Sequence, residues 1–130
     1  MSVWRQKAID IAPELKKDFE DPELSPYTVF SELLSLLAEA HKNNDVERIQ
    51  KIYDYAEWCS KQKEQKLWNA AGVSFYEHLC DNELVISQFT NWIKKDVYFD
   101  HRDLLSYRFD DDKMKELDTF YGWTKPRKKR

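Results

Sequence analysis

The stretch SPYTVFSELLSLLAEAH, residues 25–41, decides the fold class. Its apolar residues recur every three or four positions, which is the spacing of one face of an α-helix. Ser25 belongs to the residue types that cap helix N-termini, and Pro26 suits the first turn because its missing N–H would have no intrahelical partner there. The stretch therefore predicts a helix that begins after Ser25 and ends near His41.

The sequence after this helix continues the helical periodicity and divides into helical hairpins. Asn44 and Glu47 have the offset of a capping box before the next helix. Further helices are predicted over residues 45–61, 65–80, 83–95, 101–109 and 112–121. Because short connections make consecutive helices neighbours, we expect an all-α fold. The helices would form antiparallel hairpins in a compact bundle or in a short α-solenoid of the tetratricopeptide or HEAT type.

The stretch LWNAAGVSFYEHLCDN, residues 67–82, tests the solenoid alternative. Trp68, Gly72 and Phe75 stand at the offsets of the first half of the tetratricopeptide signature. The second half of that signature and its terminal proline are not found in the chain, so a true tetratricopeptide array is excluded. Gly72 instead predicts a close approach by a neighbouring helix, with Trp68 and Phe75 in the core.

The composition indicates a folded chain with an acidic body and a basic end. Of 130 residues, 42% are hydrophobic and only 2 are glycine, which favours a packed helical protein. Five of the 21 Lys and Arg lie in residues 125–130, which leaves residues 1–124 with 16 basic against 24 acidic side chains, a formal net charge of -8. We expect one helical domain over residues 1–124, followed by a flexible basic tail over residues 125–130.

Signals for membrane insertion and for catalysis are missing from the sequence. It has neither a run of about 18 apolar residues nor an N-terminal signal segment, so we expect a cytoplasmic protein without membrane contact. In that compartment Cys59 and Cys80 would be reduced. His41, His78 and His101 lie far apart and lack metal-ligand spacing, and no nucleophile elbow or phosphate-binding glycine loop occurs. We therefore expect a non-enzymatic protein that needs no metal or cofactor.

The segment DVYFDHRDLLSYRFDDD, residues 96–112, is the candidate binding surface. It holds six Asp against two Arg, with aromatic residues interleaved. Carboxylates beside tyrosine side chains can bind Lys and Arg of a protein partner, although the same carboxylates can also serve as helix caps. The predicted contact residues are Tyr98, Asp100, Asp103, Tyr107, Asp110, Asp111 and Asp112.

The basic tail KPRKKR, residues 125–130, supports a different function. Lys and Arg can displace counterions from phosphates, so the chain could act as a nucleic-acid accessory protein through this tail. The acidic body disfavours such binding over the rest of the surface, so a nucleic-acid partner is the weaker expectation. Deletion of residues 125–130 would abolish binding if the tail carried it.

Three segments carry a resemblance to known proteins: SPYTVFSELLSLLAEAH, YDYAEWC and LWNAAGVSFYEHL. Over roughly residues 24–95 the chain resembles a small uncharacterised bacterial all-helical family. It also resembles, more loosely, the all-helical immunity proteins that accompany polymorphic or contact-dependent toxins. The resemblance implies a cytoplasmic protein that neutralises a cognate toxin domain by forming a stoichiometric complex with it.

The acidic body suits such a partner, because a toxin that acts on nucleic acid needs a basic surface to attract phosphate. We therefore expect a basic toxin domain, for example a nuclease, as the protein partner. The alternative from the hairpin architecture is a tetratricopeptide-like or HEAT-like adaptor, which would bind an extended peptide in a groove between its hairpins.

Overall fold

The computed structural model describes residues 1–125, and in this part of the chain the regular structure is helical throughout. The α-helices are α1 (Val3–Ile11), α2 (Lys16–Phe19), α3 (Pro26–Lys42), α4 (Val46–Ser60), α5 (Gln65–Ala70), α6 (Glu83–Ser87), α7 (Phe89–Trp92), α8 (Lys95–Leu105) and α9 (Asp111–Tyr121). Three short segments of other helical types lie between the α-helices: a 3-10 turn at Pro13–Leu15, a π-helical turn at Ala71–Phe75 and a 3-10 segment at Tyr76–Asp81. The all-α prediction is confirmed.

The helices pack around one hydrophobic core that includes residues from Trp4 in α1 to Tyr121 in α9. The bundle alternative is therefore the one observed. None of the helices within residues 1–125 is both long and apolar enough to cross a membrane. The predicted flexible tail lies, apart from Lys125, outside the described residues.

Helix α3 matches its prediction because its signals are local. The backbone N–H of Thr28 donates to Ser25 Oγ at 3.4 Å, and Pro26 occupies the first turn. The residues that face the core are Val29, Phe30, Leu33, Leu37 and Ala40, all of which are buried. Helix α4 packs beside α3 and forms the first hairpin with it.

The connection between α3 and α4 differs from the predicted capping box. Asn44 has a φ of 55°, in the left-handed region, where asparagine is one of the better-tolerated residues. This turn moves the cap by one residue, so that Asp45 accepts a hydrogen bond from the backbone N–H of Arg48 at 3.2 Å. The predicted pairing of Asn44 with Glu47 is wrong because the chain reverses at Asn44.

The predicted helix over residues 65–80 is broken into three parts. Helix α5 ends at Ala70, and the π-helical and 3-10 segments follow. A π-helical turn widens the helix locally and changes the directions of successive side chains. Here the adjacent residues Phe75 and Tyr76 are both buried. The predicted helix over 83–95 is similarly divided into α6 and α7.

The predictions about Trp68, Gly72 and Phe75 have different outcomes. Phe75 is fully buried, as expected, but Trp68 is 42% exposed, because α5 turns Leu67 and Ala70 toward the core instead. A Cβ added at Gly72 would lie 3.0 Å from Leu104 Cδ2 of α8. Gly72 therefore permits the close packing that the sequence predicted.

Helices α8 and α9 close the bundle, and α8 begins six residues before the predicted boundary at 101. The backbone is extended at Ile93, so α7 ends at Trp92, before the predicted end at residue 95. The Ile93 carbonyl accepts a hydrogen bond from Tyr121 Oη at 2.6 Å. Helix α9 ends at Gly122, whose φ is 74°, and the N–H of Trp123 returns to the Asp118 carbonyl at 2.9 Å. A left-handed glycine after the last helical residue is a common helix end.

Candidate protein-interaction surface

The predicted contact residues lie on α8, on the connection after it and on the first turn of α9. One of them, Tyr98, is fully buried and is not available to a partner. Its hydroxyl donates to Asp118 Oδ1 at 2.6 Å, and its ring stacks on Tyr121 with centroids 4.5 Å apart. Burial, reinforced by the Asp118 carboxylate, raises the Tyr98 pKa. The prediction that Tyr98 contacts a partner is wrong because this ring is part of the core.

The six remaining predicted residues are exposed. Tyr107 has 83% of its surface in solvent. Within residues 1–125, none of the five predicted carboxylates forms an ion pair: Asp100, Asp103, Asp110, Asp111 and Asp112. Asp110 caps α9 by accepting a hydrogen bond from the Lys113 backbone N–H at 2.7 Å. Asp110 therefore serves as a helix cap, whereas the side chains of the other exposed residues of the predicted contact set face solvent.

Other carboxylates of the same region have partners within the protein. Asp96 binds Lys61 Nζ at 2.7 Å, and that hydrogen bond lowers the Asp96 pKa. Asp118 accepts two hydrogen bonds from Arg102, each at 2.8 Å, which lower the pKa of its carboxyl group. This contrast separates carboxylates that stabilise the fold from carboxylates that remain available to an external cation.

Two of the predicted residues, Asp110 and Asp112, line an open groove of about 540 Å³ between α6 and the start of α9. We call it the acidic groove. Its charged lining residues are Glu83, Arg108, Asp110, Asp112, Lys113 and Glu116. Four acids against two bases give these side chains a formal net charge of -2. Ile86 and Phe109 supply apolar lining.

Both cations of the acidic groove are engaged by neighbouring carboxylates. Arg108 Nη2 lies 2.9 Å from Asp81 Oδ1, and Lys113 Nζ lies 3.4 Å from Glu116 Oε2. Burial opposes ionisation of Asp81, but hydrogen bonds from His78 and Arg108 outweigh it and lower the Asp81 pKa. Glu83 and Asp112 form no ion pair with any residue in 1–125. The groove can therefore accept a cationic group from outside.

Sequence reasoning missed Glu83 and Glu116 as members of this site. They lie 33 positions apart and belong to different helices, so no local pattern connects them. Outside the acidic groove, it also missed the exposed side chain of Phe120 on α9, which has 60% of its surface in solvent. The apolar spacing of α9 was the signal for this, because Met114, Leu117 and Tyr121 repeat at helical intervals and Phe120 lies outside that repeat.

The acidic groove also contains a cysteine, whose surroundings do not favour its thiolate form. Cys80 lines the acidic groove, but burial raises the pKa of its thiol and so disfavours the reactive thiolate. Among residues 1–125, no three His, Cys, Asp or Glu side chains are grouped so that they could hold a metal ion. The acidic groove thus combines carboxylates with the apolar side chains of Ile86 and Phe109.

Comparison with known proteins places most of this fold in one family. The model described as "Domain of unknown function (DUF7674)" matches residues 5–103. The match includes Tyr98, Asp100 and Asp103 and ends before the other four residues of the predicted contact set. No curated protein and no solved structure matches the chain. The matched segment covers well over half of the sequence, so the chain belongs to the DUF7674 family.

Proposed function

We propose that this protein is a non-enzymatic binder that blocks a basic protein domain, in the manner of an immunity protein that neutralises a bacterial toxin in the cytoplasm. The observation that carries the proposal is the acidic groove. It combines Glu83 and Asp112, which form no ion pair within residues 1–125, with the apolar side chains of Ile86 and Phe109. Further exposed groups lie on α8, on the connection after it and on the first turn of α9: Asp100, Asp103, Tyr107 and Asp111.

The two kinds of group would contribute differently to a complex. Solvent-facing carboxylates attract a cationic partner over several ångströms and mainly increase the association rate. Apolar and aromatic surface that loses its water on binding mainly slows dissociation. Tyr107 and the apolar lining of the groove supply such surface. A toxin that acts on nucleic acid has a cationic active-site region, and coverage of that region by this surface would exclude its substrate.

The direct test is coexpression with the proteins encoded beside this gene. We expect one of them to inhibit growth when expressed alone and to form a one-to-one complex when coexpressed. Size-exclusion chromatography with light scattering would give the stoichiometry, and growth would report protection. The immunity proposal is contradicted if none of the neighbouring products is toxic or if the toxic product does not bind.

The binding surface is tested by charge reversal in the acidic groove. Each reversed carboxylate at a contact rim should cost about 1 kcal/mol, so the double variant Glu83→Lys with Asp112→Lys should weaken the Kd by about 30-fold. The matched control is Glu23→Lys with Glu32→Lys, which makes the same charge change at exposed positions outside the groove. Equal losses in both double variants would indicate only a long-range charge effect and would exclude the groove as the contact site.

A further inference from the structure

A second groove, separate from the acidic groove, lies between α3 and the segment that includes the π-helical and 3-10 turns. It is open to solvent and has a volume of about 410 Å³. Because serine residues contribute from both of its walls, we call it the serine groove. Its polar and small lining residues include Ser31, Ser35 and Ala38 from α3 and Ser74 and His78 from the facing segment.

The serine groove exists because short side chains recur on one face of α3. Ser31, Ser35 and Ala38 follow each other at intervals of four and three residues, so they lie along one face of the helix. On the opposite wall Ser74 lies within the π-helical turn and His78 within the 3-10 segment that follows. These short side chains leave the two walls apart, and Leu34, Leu79 and Val85 supply aliphatic lining.

Among the polar groups of the serine groove, Ser31, Asp81 and Asn82 already bond within the described part of the chain, whereas two serine hydroxyls do not. Neither the Ser35 nor the Ser74 hydroxyl forms a side-chain hydrogen bond with another residue in 1–125. His78 Nδ1 is held by Asp81 Oδ2 at 2.8 Å, which leaves its Nε2 as the nitrogen that can bind a ligand. The groove therefore offers hydroxyl groups, which can both donate and accept, together with one imidazole nitrogen.

Charged ligands are poorly matched to this groove. An anion would meet the Asp81 carboxylate, which is part of the lining. Binding of a cation is also disfavoured, because the two oxygens of Asp81 already bind His78 and Arg108. Neutral donors and acceptors above aliphatic side chains suit a ligand that carries amide groups and a small apolar side chain.

We propose that the serine groove binds an uncharged segment of a partner polypeptide, with an aliphatic side chain against Leu34, Leu79 and Val85 and with backbone amides at Ser35, Ser74 and His78. This proposal does not depend on the immunity function, since the acidic groove has different lining residues. It assigns the chain a peptide-binding site of its own.

The experiment uses N-acetyl-leucine N-methylamide as a neutral probe of one residue with both flanking amides. Titration into the full-length protein with labelled Leu and Val methyl groups would follow Leu34, Leu79 and Val85 by NMR. We expect saturable shifts with a Kd of about 1 mM, as a probe of this size allows. N-acetyl-leucine, an anion, and leucine N-methylamide, a cation, should bind at least about fivefold more weakly, because neither charge finds a partner.

A groove-filling substitution provides the control. Ser35→Trp should remove the saturable shifts, whereas Glu32→Trp, at an exposed position of α3 outside the groove lining, should preserve them. The proposal is overturned if the neutral probe gives no saturable shift, or if Ser35→Trp and the unaltered protein respond alike. Tighter binding of either charged probe would overturn it as well, because the groove would then select an ion. Far-UV circular dichroism of both variants shows whether the helices are retained.

Discussion

Replacement of Asp118 by alanine tests how the last two helices are held together. Asp118 accepts hydrogen bonds from Arg102 Nε and Nη2, each at 2.8 Å, and from Tyr98 Oη at 2.6 Å. The Arg102 guanidinium also lies 3.3 Å from the centroid of the Trp123 ring. The alanine variant would leave a poorly solvated cation and a buried hydroxyl without their acceptor.

The magnitude follows from the burial of the pair. The Arg102 and Asp118 side chains are 18% and 19% exposed. Loss of one partner costs about 3–5 kcal/mol when a pair is fully buried and at most about 1 kcal/mol at the surface, so we take about 2 kcal/mol for this pair. The unsatisfied Tyr98 hydroxyl adds about 1 kcal/mol. The free energy of unfolding should therefore fall by about 3 kcal/mol.

Urea denaturation followed by circular dichroism at the helix band measures this change. With a slope of about 1.5 kcal/mol per molar urea, the midpoint of Asp118→Ala should fall by about 2 M. Asp118→Asn keeps an acceptor oxygen and should lose about half as much. The control is Asp103→Asn, an exposed and unpaired position on α8, which should change stability by less than about 0.5 kcal/mol. An Asp118→Ala midpoint equal to that of the control would refute the reasoning.

The same ion pair has a defined pH dependence. Hydrogen bonds from Arg102 lower the Asp118 pKa in the folded state, so the folded protein binds this proton less readily than the unfolded chain. The stabilisation is therefore complete above the unfolded pKa of about 3.9 and is lost as the pH falls toward the lower folded pKa. Asp118→Asn should flatten the stability profile in that acid range. A profile unchanged by the substitution would contradict the assignment.

Three further predictions concern the helix cap, the helix contact and the tail. Ser25→Ala should cost about 1 kcal/mol in urea denaturation, since it removes the acceptor at the start of α3, and a cost below about 0.3 kcal/mol would contradict this. Gly72→Ala should cost about 1–2 kcal/mol because its Cβ would press on Leu104, and Leu104→Ala in the same chain should recover part of the loss. Removal of residues 125–130 should abolish any salt-sensitive binding to a DNA duplex if the nucleic-acid alternative holds, and unchanged binding would exclude the tail as its cause.

Sequence reasoning succeeded where the signal and its effect lie close together. In α3 the cap residue, the proline and the apolar spacing all lie within one helix and agree with one another. Gly72 was also interpretable, because a residue without a side chain within an apolar stretch indicates close packing whatever the partner is. The break after Ala70 was missed because no proline or polar cluster marks it, and the distortion accommodates the packing of Phe75 and Tyr76.

The candidate site was less predictable because it depends on pairings between distant positions. Tyr98 looked like a contact residue among aspartates, yet its ring packs on Tyr121 and its hydroxyl bonds to Asp118, twenty positions later. Whether an aspartate is available likewise depends on whether a cation reaches it, as Lys61 reaches Asp96. Such pairings have no signature in a local segment, so the sequence could not show which of the predicted side chains are exposed and unpaired.

The packing of α9 affects how fragments of this protein should be chosen for expression. A fragment limited to the family segment, residues 5–103, would omit Leu117 and Tyr121, both of which are buried in the complete bundle. The Tyr98 ring would lose its stacking partner, and the Ile93 carbonyl would lose its hydrogen bond. Newly exposed aromatic surface promotes aggregation, so a family boundary taken as a domain boundary would give an insoluble product. Expression through Trp123 retains the helix that covers this surface.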